Sequence, residues 1–358
     1  MKVLWLLLFL SFLTLSLGGC ADLSYLSKLA WHQGLILHGS IPIEEVMGDE
    51  QKNGEIIKKI QFIQEVKRYG EERLGLKRSG SFTKFYELKT PPLYIITASR
   101  KDRLSPYDWH FPIVGKVTYK SFFTIEEATK ETKALEAKGF DTYIQSVAAY
   151  STLGWLKDPI FSLMLRWEES VLANIILHEM AHATLYFKGE TDLNEQLATF
   201  VGNRGSIEFL RERYGPGSKE LREALEGQED DLLFANWIDW AYRQLSALYE
   251  TSISREEKLV RRVEIFRLIK EKFKEVKAQF RTDCYKDFDK KELNNAVVIA
   301  HRRYLHCLDR FEVLYDYLGR DMKRFLRFLK EVKSNKNPSN YLDSWMKERG
   351  LILNQKRD

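Results

Sequence analysis

The run His178-Glu179-Met180-Ala181-His182 places two imidazoles and a carboxylate within five residues. On a helix, positions four apart lie one above the other on one face, so both histidines can reach a single cation. Glu179 lies about 100° around the axis from His178, where it can hold a water and accept its proton. Two imidazoles suit zinc, and the H-E-x-x-H spacing is the one that metal-assisted hydrolysis uses. The metal lowers the pKa of a bound water, and the carboxylate takes the proton as that water attacks a carbonyl. Val171, Leu172, Ile175, Ile176, Leu177, Met180 and Leu185 surround the motif. They predict a buried helix that carries polar groups at costly positions. The plain alternative is two ordinary histidines with an acid beside the first.

A catalytic zinc has three protein ligands and one open position. After His182 the chain turns at Lys188-Gly189, and a second apolar-periodic stretch starts at Asn194-Glu195-Gln196-Leu197-Ala198. Asn194 reads as the N-cap of this return helix. A short turn packs two helices as antiparallel neighbours. Glu195, thirteen residues beyond His182, can therefore face the first helix as the third ligand. Its other reading is an acid that complements the positive end of its own helix. Glu190, Asp192 and Glu208 are competitors for the ligand role.

Oxyanion stabilisation needs a hydrogen-bond donor opposite the base. The later stretch offers Tyr304, with His301 and the Asn294-Asn295 pair as alternatives; Tyr304 is the chosen candidate. Recognition of a free α-ammonium would need a carboxylate near the metal, and Glu168, Glu169 and Glu190 stay open for it. His32, His38, His110 and His306 show no ligand spacing and read as structural or exposed.

The elements that must position these groups follow from periodicity. Residues 22 to about 80 read as helical, with Glu55–Leu76 amphipathic and Ile56, Ile57, Ile60, Ile63, Val66 and Leu74 inward. Pro91-Pro92 ends that pattern. Leu93–Ala98, Val114–Tyr119 and Asp141–Val147 are rich in β-formers. Ile125–Lys138 reads as a helix closed by Gly139, so a small sheet with one crossover helix is expected. From Glu168 the chain is helical almost to its end, broken at Gly215-Pro216-Gly217 and around Pro338. Leu232–Phe280 is one long helix or two, its Lys, Arg and Glu most simply solvated faces. A coiled-coil partner face is the alternative. The last residues, Gln355–Asp358, read as a frayed tail.

The chain has 358 residues, long enough for a large core. Its 56 basic and 51 acidic side chains give a net charge of only +5. No basic patch with interleaved aromatics appears, which argues against nucleic acid. Lys2, the apolar run Val3–Leu17 and then Leu17-Gly18-Gly19-Cys20 read as a lipoprotein signal, with cleavage before Cys20 and lipid on that cysteine. The run is short for a membrane span; an uncleaved anchor helix or an ordinary secretory signal is the alternative. This places the mature protein at the cell envelope, on the periplasmic side, tethered to a membrane. Two of the three cysteines remain, Cys284 and Cys307, either as a disulfide or as two buried thiols.

The metal-site run resembles the gluzincin metallopeptidases, in which a glutamate on a second helix completes an H-E-x-x-H site. The resemblance implies His178, His182 and Glu195 as ligands of one zinc ion, with Glu179 as general base. It also implies that the stretch just before the zinc helix lines the cleft, which nominates Tyr150 and Gly154 as substrate-binding residues. A wider resemblance covers nearly the whole chain. The Cys20 segment, Gly34-Leu35-Ile36-Leu37, Ile41–Val46, Phe111-Pro112-Ile113-Val114-Gly115 followed by Tyr119, Ala149–Trp155, Asn194-Glu195 with Ala198-Thr199-Phe200, and Leu293–Ala296 carry it. Together they resemble the bacterial lipoprotein family called predicted aminopeptidases, which implies removal of N-terminal residues from peptides.

The expected architecture is α+β and zincin-like: a small β-sheet over the zinc-binding helix and a large, mainly helical C-terminal part. The expected segments are a signal peptide (1–19), an N-terminal helical segment (20–90), the catalytic core (91–214) and a helical region packed on it (215–358). The rivals are an envelope endopeptidase with the same metal site, and a membrane-tethered scaffold with structural zinc. An intact Glu179 argues against the scaffold.

Overall fold

In a computed structural model, the described residues are 20–49, 54–111, 114–147 and 149–351. The signal-peptide reading, Pro112-Ile113 of the resemblance and the tail after Leu351 fall outside them. The described residues open with α1 (Cys20–Gly39), β1 (Ile41–Pro42), α2 (Ile43–Gly48) and α3 (Gly54–Tyr69). Ile60, Ile63 and Val66 of α3 are buried, at the spacing expected of one helical face. The end of the expected Glu55–Leu76 helix instead widens into a π-turn over Gly70–Leu74.

Next come β2 (Lys84–Tyr86), β3 (Leu93–Arg100), β4 (Trp109–Phe111), β5 (Gly115–Val117), β6 (Lys120–Phe122), α4 (Ile125–Ala137), β7 (Phe140–Val147) and β8 (Ile160–Phe161). β3 is the central strand of the main sheet, antiparallel to β6 on one side and to β7 on the other, with Ile95 opposite Ser121 and Gln145. β6 and β7 therefore run parallel to each other, and α4 is the crossover that such strands require. Thr124 caps α4 by accepting from the Glu127 amide, and Gly139 leaves it at φ +81°. Of Val114–Tyr119, read as a single strand, only Gly115–Val117 forms one. β5 pairs with β4 as a hairpin, and the chain bends at Thr118–Tyr119 before β6. The bend has a physical reason: the Thr118 carbonyl accepts from the Arg303 guanidinium at 3.1 Å and so is not available to a strand ladder.

The remainder is helical: α5 (Glu169–Thr184), α6 (Thr191–Tyr214), α7 (Lys219–Tyr249), α8 (Arg255–Lys277), α9 (Asn295–Leu305), α10 (Leu308–Tyr317), α11 (Met322–Lys333) and α12 (Pro338–Glu348). Leu232–Phe280 thus forms two helices; Ser254 caps the second by accepting from the Glu257 amide. Pro338 opens α12 at its first turn, where a missing N–H costs nothing.

The protein is α+β, with helices dominant and the sheets small. The main sheet is flanked by α4 and α9, and not principally by the helix carrying His178. That helix, α5, packs chiefly on α6 and α3. The largest core draws Ile63 and Val66 from α3, Ile176 and Leu177 from α5, Val201 from α6, and Phe311, Phe325 and Leu342 from the last helices. A second core joins α7, α8 and α9 through Phe234, Trp237, Phe273 and Val298. No described helix is long and apolar enough to cross a membrane. No disulfide joins Cys284 and Cys307.

Candidate active site

α5 and α6 form the antiparallel pair that the short turn predicts. Leu172, Ala173, Ile176, Leu177, Met180 and Ala181 give α5 a buried face. α5 ends at Thr184, whose hydroxyl donates to the Met180 carbonyl. The return helix starts at Thr191, so Asn194 is not its N-cap. Asn194 instead clamps the turn: its Oδ1 accepts from the Phe187 amide at 2.7 Å, and its Nδ2 donates to the Phe187 carbonyl at 2.8 Å. A buried loop peptide needs both partners, and that need outweighs the capping preference of the residue. Farther along, Gly202 lets the helices touch. A Cβ there would lie 2.9 Å from the Asn174 carbonyl oxygen and 3.3 Å from His178 Cβ.

This packing brings three nominated ligands together. His178 Nε2 and His182 Nε2 are 3.1 Å apart. Glu195 Oε2 lies 3.6 Å from the first and 3.5 Å from the second. Donor atoms 2.0–2.1 Å from one tetrahedral ion stand about 3.3 Å from each other. The observed triangle has edges of that length, so two neutral imidazoles and a carboxylate fit a zinc ion without rearrangement. Among the described residues this is the one cluster of three such side chains close enough to hold a metal.

The electrostatics match the geometry. Burial alone would push the Glu195 carboxyl up, but the charge of His182 and hydrogen bonds with both histidines hold it well below the usual carboxylate range. Burial works against charge on His182, and the Glu195 carboxylate outweighs it, raising the imidazole. Glu179 moves the other way. Burial raises its carboxyl, the two histidines oppose, and Glu195 adds to the rise. A carboxylate made more basic beside such a cluster is suited to take a proton.

Tyr304 faces this cluster from α9. Its ring centroid is 6.5 Å from that of His178. Burial, with Glu195 next, raises its phenol far above the ordinary value, so it keeps its proton as a donor. The alternatives to it serve structure. Asn294 caps α9 by accepting from the Val297 amide. Asn295 receives the Tyr249 hydroxyl and donates to the Arg100 carbonyl. His301 packs against Phe234 and Phe288, and desolvation depresses it to about 3.

Tyr119 went unrecognised as a site residue. Its hydroxyl donates to Glu195 Oε1 at 3.2 Å. The two residues are 76 positions apart, so no local spacing announces the contact; its place in the resemblance after Phe111–Gly115 was the only signal. Behind both tyrosines lies Arg303, 3% exposed. It donates to Thr97 Oγ1 and the Thr118 carbonyl, sits 5.3 Å from the centroid of the Tyr119 ring and hydrogen-bonds with Tyr304.

The two residues nominated for the cleft have contacts of their own. Tyr150 donates to Gln33 Oε1 at 2.7 Å and packs its ring on Phe161 and Phe123. Gly154, at φ +70°, approaches α5 itself; a Cβ would lie 3.1 Å from Ala183 Cβ. Asp158 fixes that turn by accepting from the Thr152 amide and hydroxyl, and burial pushes its carboxyl up to about 6. Of the acids considered for an α-ammonium, Glu169 receives the Tyr214 hydroxyl. Glu169 opens α5 and Glu168 is its N-cap, about 14 to 15 Å along the axis from His178. Glu190, at the entry to α6, stands at the ligand end of the helix pair. Glu208 receives the Tyr315 hydroxyl, and Asp192 lies 3.6 Å from Arg303.

Comparison with curated proteins and with solved structures finds no match. One family model does match, over residues 24–341, a span that holds the H-E-x-x-H helix, Glu195, Tyr119 and Tyr304. The chain belongs to the family described as "Putative aminopeptidase".

Proposed function

We propose that this protein is a zinc-dependent aminopeptidase, with one zinc ion held by His178, His182 and Glu195. The observation that carries the reading is the triangle of ligand atoms, 3.1 to 3.6 Å on a side, with a base-forming carboxylate on the same helix. Family membership supports the peptide substrate. A zinc ion bound there supplies a Lewis acid that polarises the scissile carbonyl and makes water a better nucleophile at neutral pH. Glu179 holds the attacking water and takes its proton, then returns it to the leaving amine. Tyr304 donates a hydrogen bond from its phenol to the oxygen that gains charge. The fold is zincin-like in this reading, with α5 and α6 as its ligand helices. The lipoprotein motif at Leu17–Cys20 supports a tether at the cell envelope, on the periplasmic side of a membrane.

The test is Ala21–Asp358, zinc-loaded, on a mixed peptide library read by mass spectrometry, with Glu179→Gln in parallel. Products that shorten one residue at a time from the N-terminus, lost in a variant that still binds zinc, are the expected outcome. Internal cuts would replace the aminopeptidase with an endopeptidase. No cleavage by folded, zinc-bound protein would count for a tethered scaffold.

A further inference from the structure

Two tyrosines approach the ligand cluster, and their hydrogen bonds divide them. A phenol has one proton to donate. The Tyr119 proton goes to Glu195 Oε1, while Oε2 of the same carboxylate is the atom that faces both histidine nitrogens. We infer that Tyr119 is a positioning residue: it occupies one oxygen of Glu195, so that a single oxygen is presented to the metal, and it leaves Tyr304 as the donor for substrate. This inference rests on the metal-site reading above.

Three further observations support it. Glu195 is 5% exposed, so its second oxygen needs a protein partner rather than bulk water. Tyr119 lies at the bend between β5 and β6, and that bend is held by the Arg303 bond to the Thr118 carbonyl. Arg303 also bonds to Thr97 on β3 and lies by the Tyr119 ring. The phenol is thus fixed by the sheet, while the carboxylate it orients is fixed by α6. A ligand held this way loses little freedom on metal binding, and such outer partners contribute about 10- to 100-fold to metal affinity. The sheet acquires a role as well: it does not cover the His178 helix but delivers one hydroxyl to the third ligand.

The experiment compares wild type, Tyr119→Phe, Tyr304→Phe and His182→Ala. Zinc affinity is read by chelator competition and turnover at saturating zinc. Each Phe variant deletes one oxygen and keeps its ring, so both should fold, and circular dichroism checks that. The expected pattern is a split. Tyr119→Phe weakens zinc binding about 10- to 100-fold but recovers most of its kcat when zinc is saturating. Tyr304→Phe binds zinc like wild type and loses about 100-fold in kcat. Wild-type zinc affinity in folded Tyr119→Phe overturns the inference and leaves the metal site standing. Wild-type affinity in His182→Ala overturns the metal site and the inference with it.

Discussion

His306 shows how a single side chain couples stability to pH. Its Nδ1 lies 3.1 Å from the Asp239 carboxylate. Burial and the neighbouring Arg302 guanidinium push the imidazole down, but the Asp239 and Cys307 hydrogen bonds outweigh them and raise it to about 9. A pKa raised on folding means that the charged pair stabilises the fold fully below the unfolded value of about 6.5, and that this is lost as pH climbs through about 9. Wild type should therefore lose stability between pH 6.5 and 9 in urea titrations. His306→Gln should be flatter across that window. The difference is bounded by about 3 kcal/mol and reduced by solvent at the partly exposed pair. At this scale the sequence was most readable where chemistry is local. His178, Glu179 and His182 are set by one helical turn. His306 carried no such spacing, because its partner Asp239 comes from another helix.

At the scale of elements, the α5–α6 pair decides the site. Gly202 sits inside α6, where alanine would ordinarily be favoured by about 1 kcal/mol. Here the added methyl meets backbone, the Asn174 carbonyl, at 2.9 Å. Packing should win. Gly202→Ala is expected to destabilise by about 1–3 kcal/mol and to weaken zinc binding by parting Glu195 from the histidines. Denaturant unfolding and chelator competition on the same sample measure both. Unchanged values would mean that the helices have room to spare. The periodicity of α5 and the Lys188-Gly189 turn were legible beforehand. The Asn194 clamp was not: a preference for capping describes an isolated helix end, while the buried Phe187 peptide makes its demand only once the loop is folded.

At the scale of the whole molecule, one buried ion pair ties the sheet to the last third of the chain. Arg262 on α8 pairs with Asp141 on β7, donates to the Lys101 carbonyl and is 8% exposed. Asp141 also accepts from the Asn295 amide at the start of α9. Removing one member of a buried pair leaves the other uncompensated, a loss of about 3–5 kcal/mol. Arg262→Ala should lower the thermal midpoint sharply, and a midpoint within a degree of wild type would show the pair to be dispensable. Zinc removal should act differently. The largest core is made of apolar residues from α3, α5, α6 and the last helices, so chelation should abolish hydrolysis yet leave the far-UV circular dichroism nearly intact. A structural site would unfold with its metal.

What the sequence determined by itself was whatever depends on neighbours along the chain. The helix of H-E-x-x-H, the crossover helix from Ile125 to Lys138 closed by Gly139, the central strands and the α+β class all follow from periods of 3.6 and 2 and from turn residues. The sequence also nominated Glu195, because a short turn can only return a helix antiparallel. Only the tertiary structure decided which groups meet across long separations. It set Tyr119 on the second oxygen of Glu195, gave the hydroxyl of Tyr150 to Gln33, and packed the sheet on α9. Those outcomes depend on satisfying buried carbonyls and carboxylates with whatever donors the fold brings near. A donor from 76 residues away leaves no periodic trace in the chain.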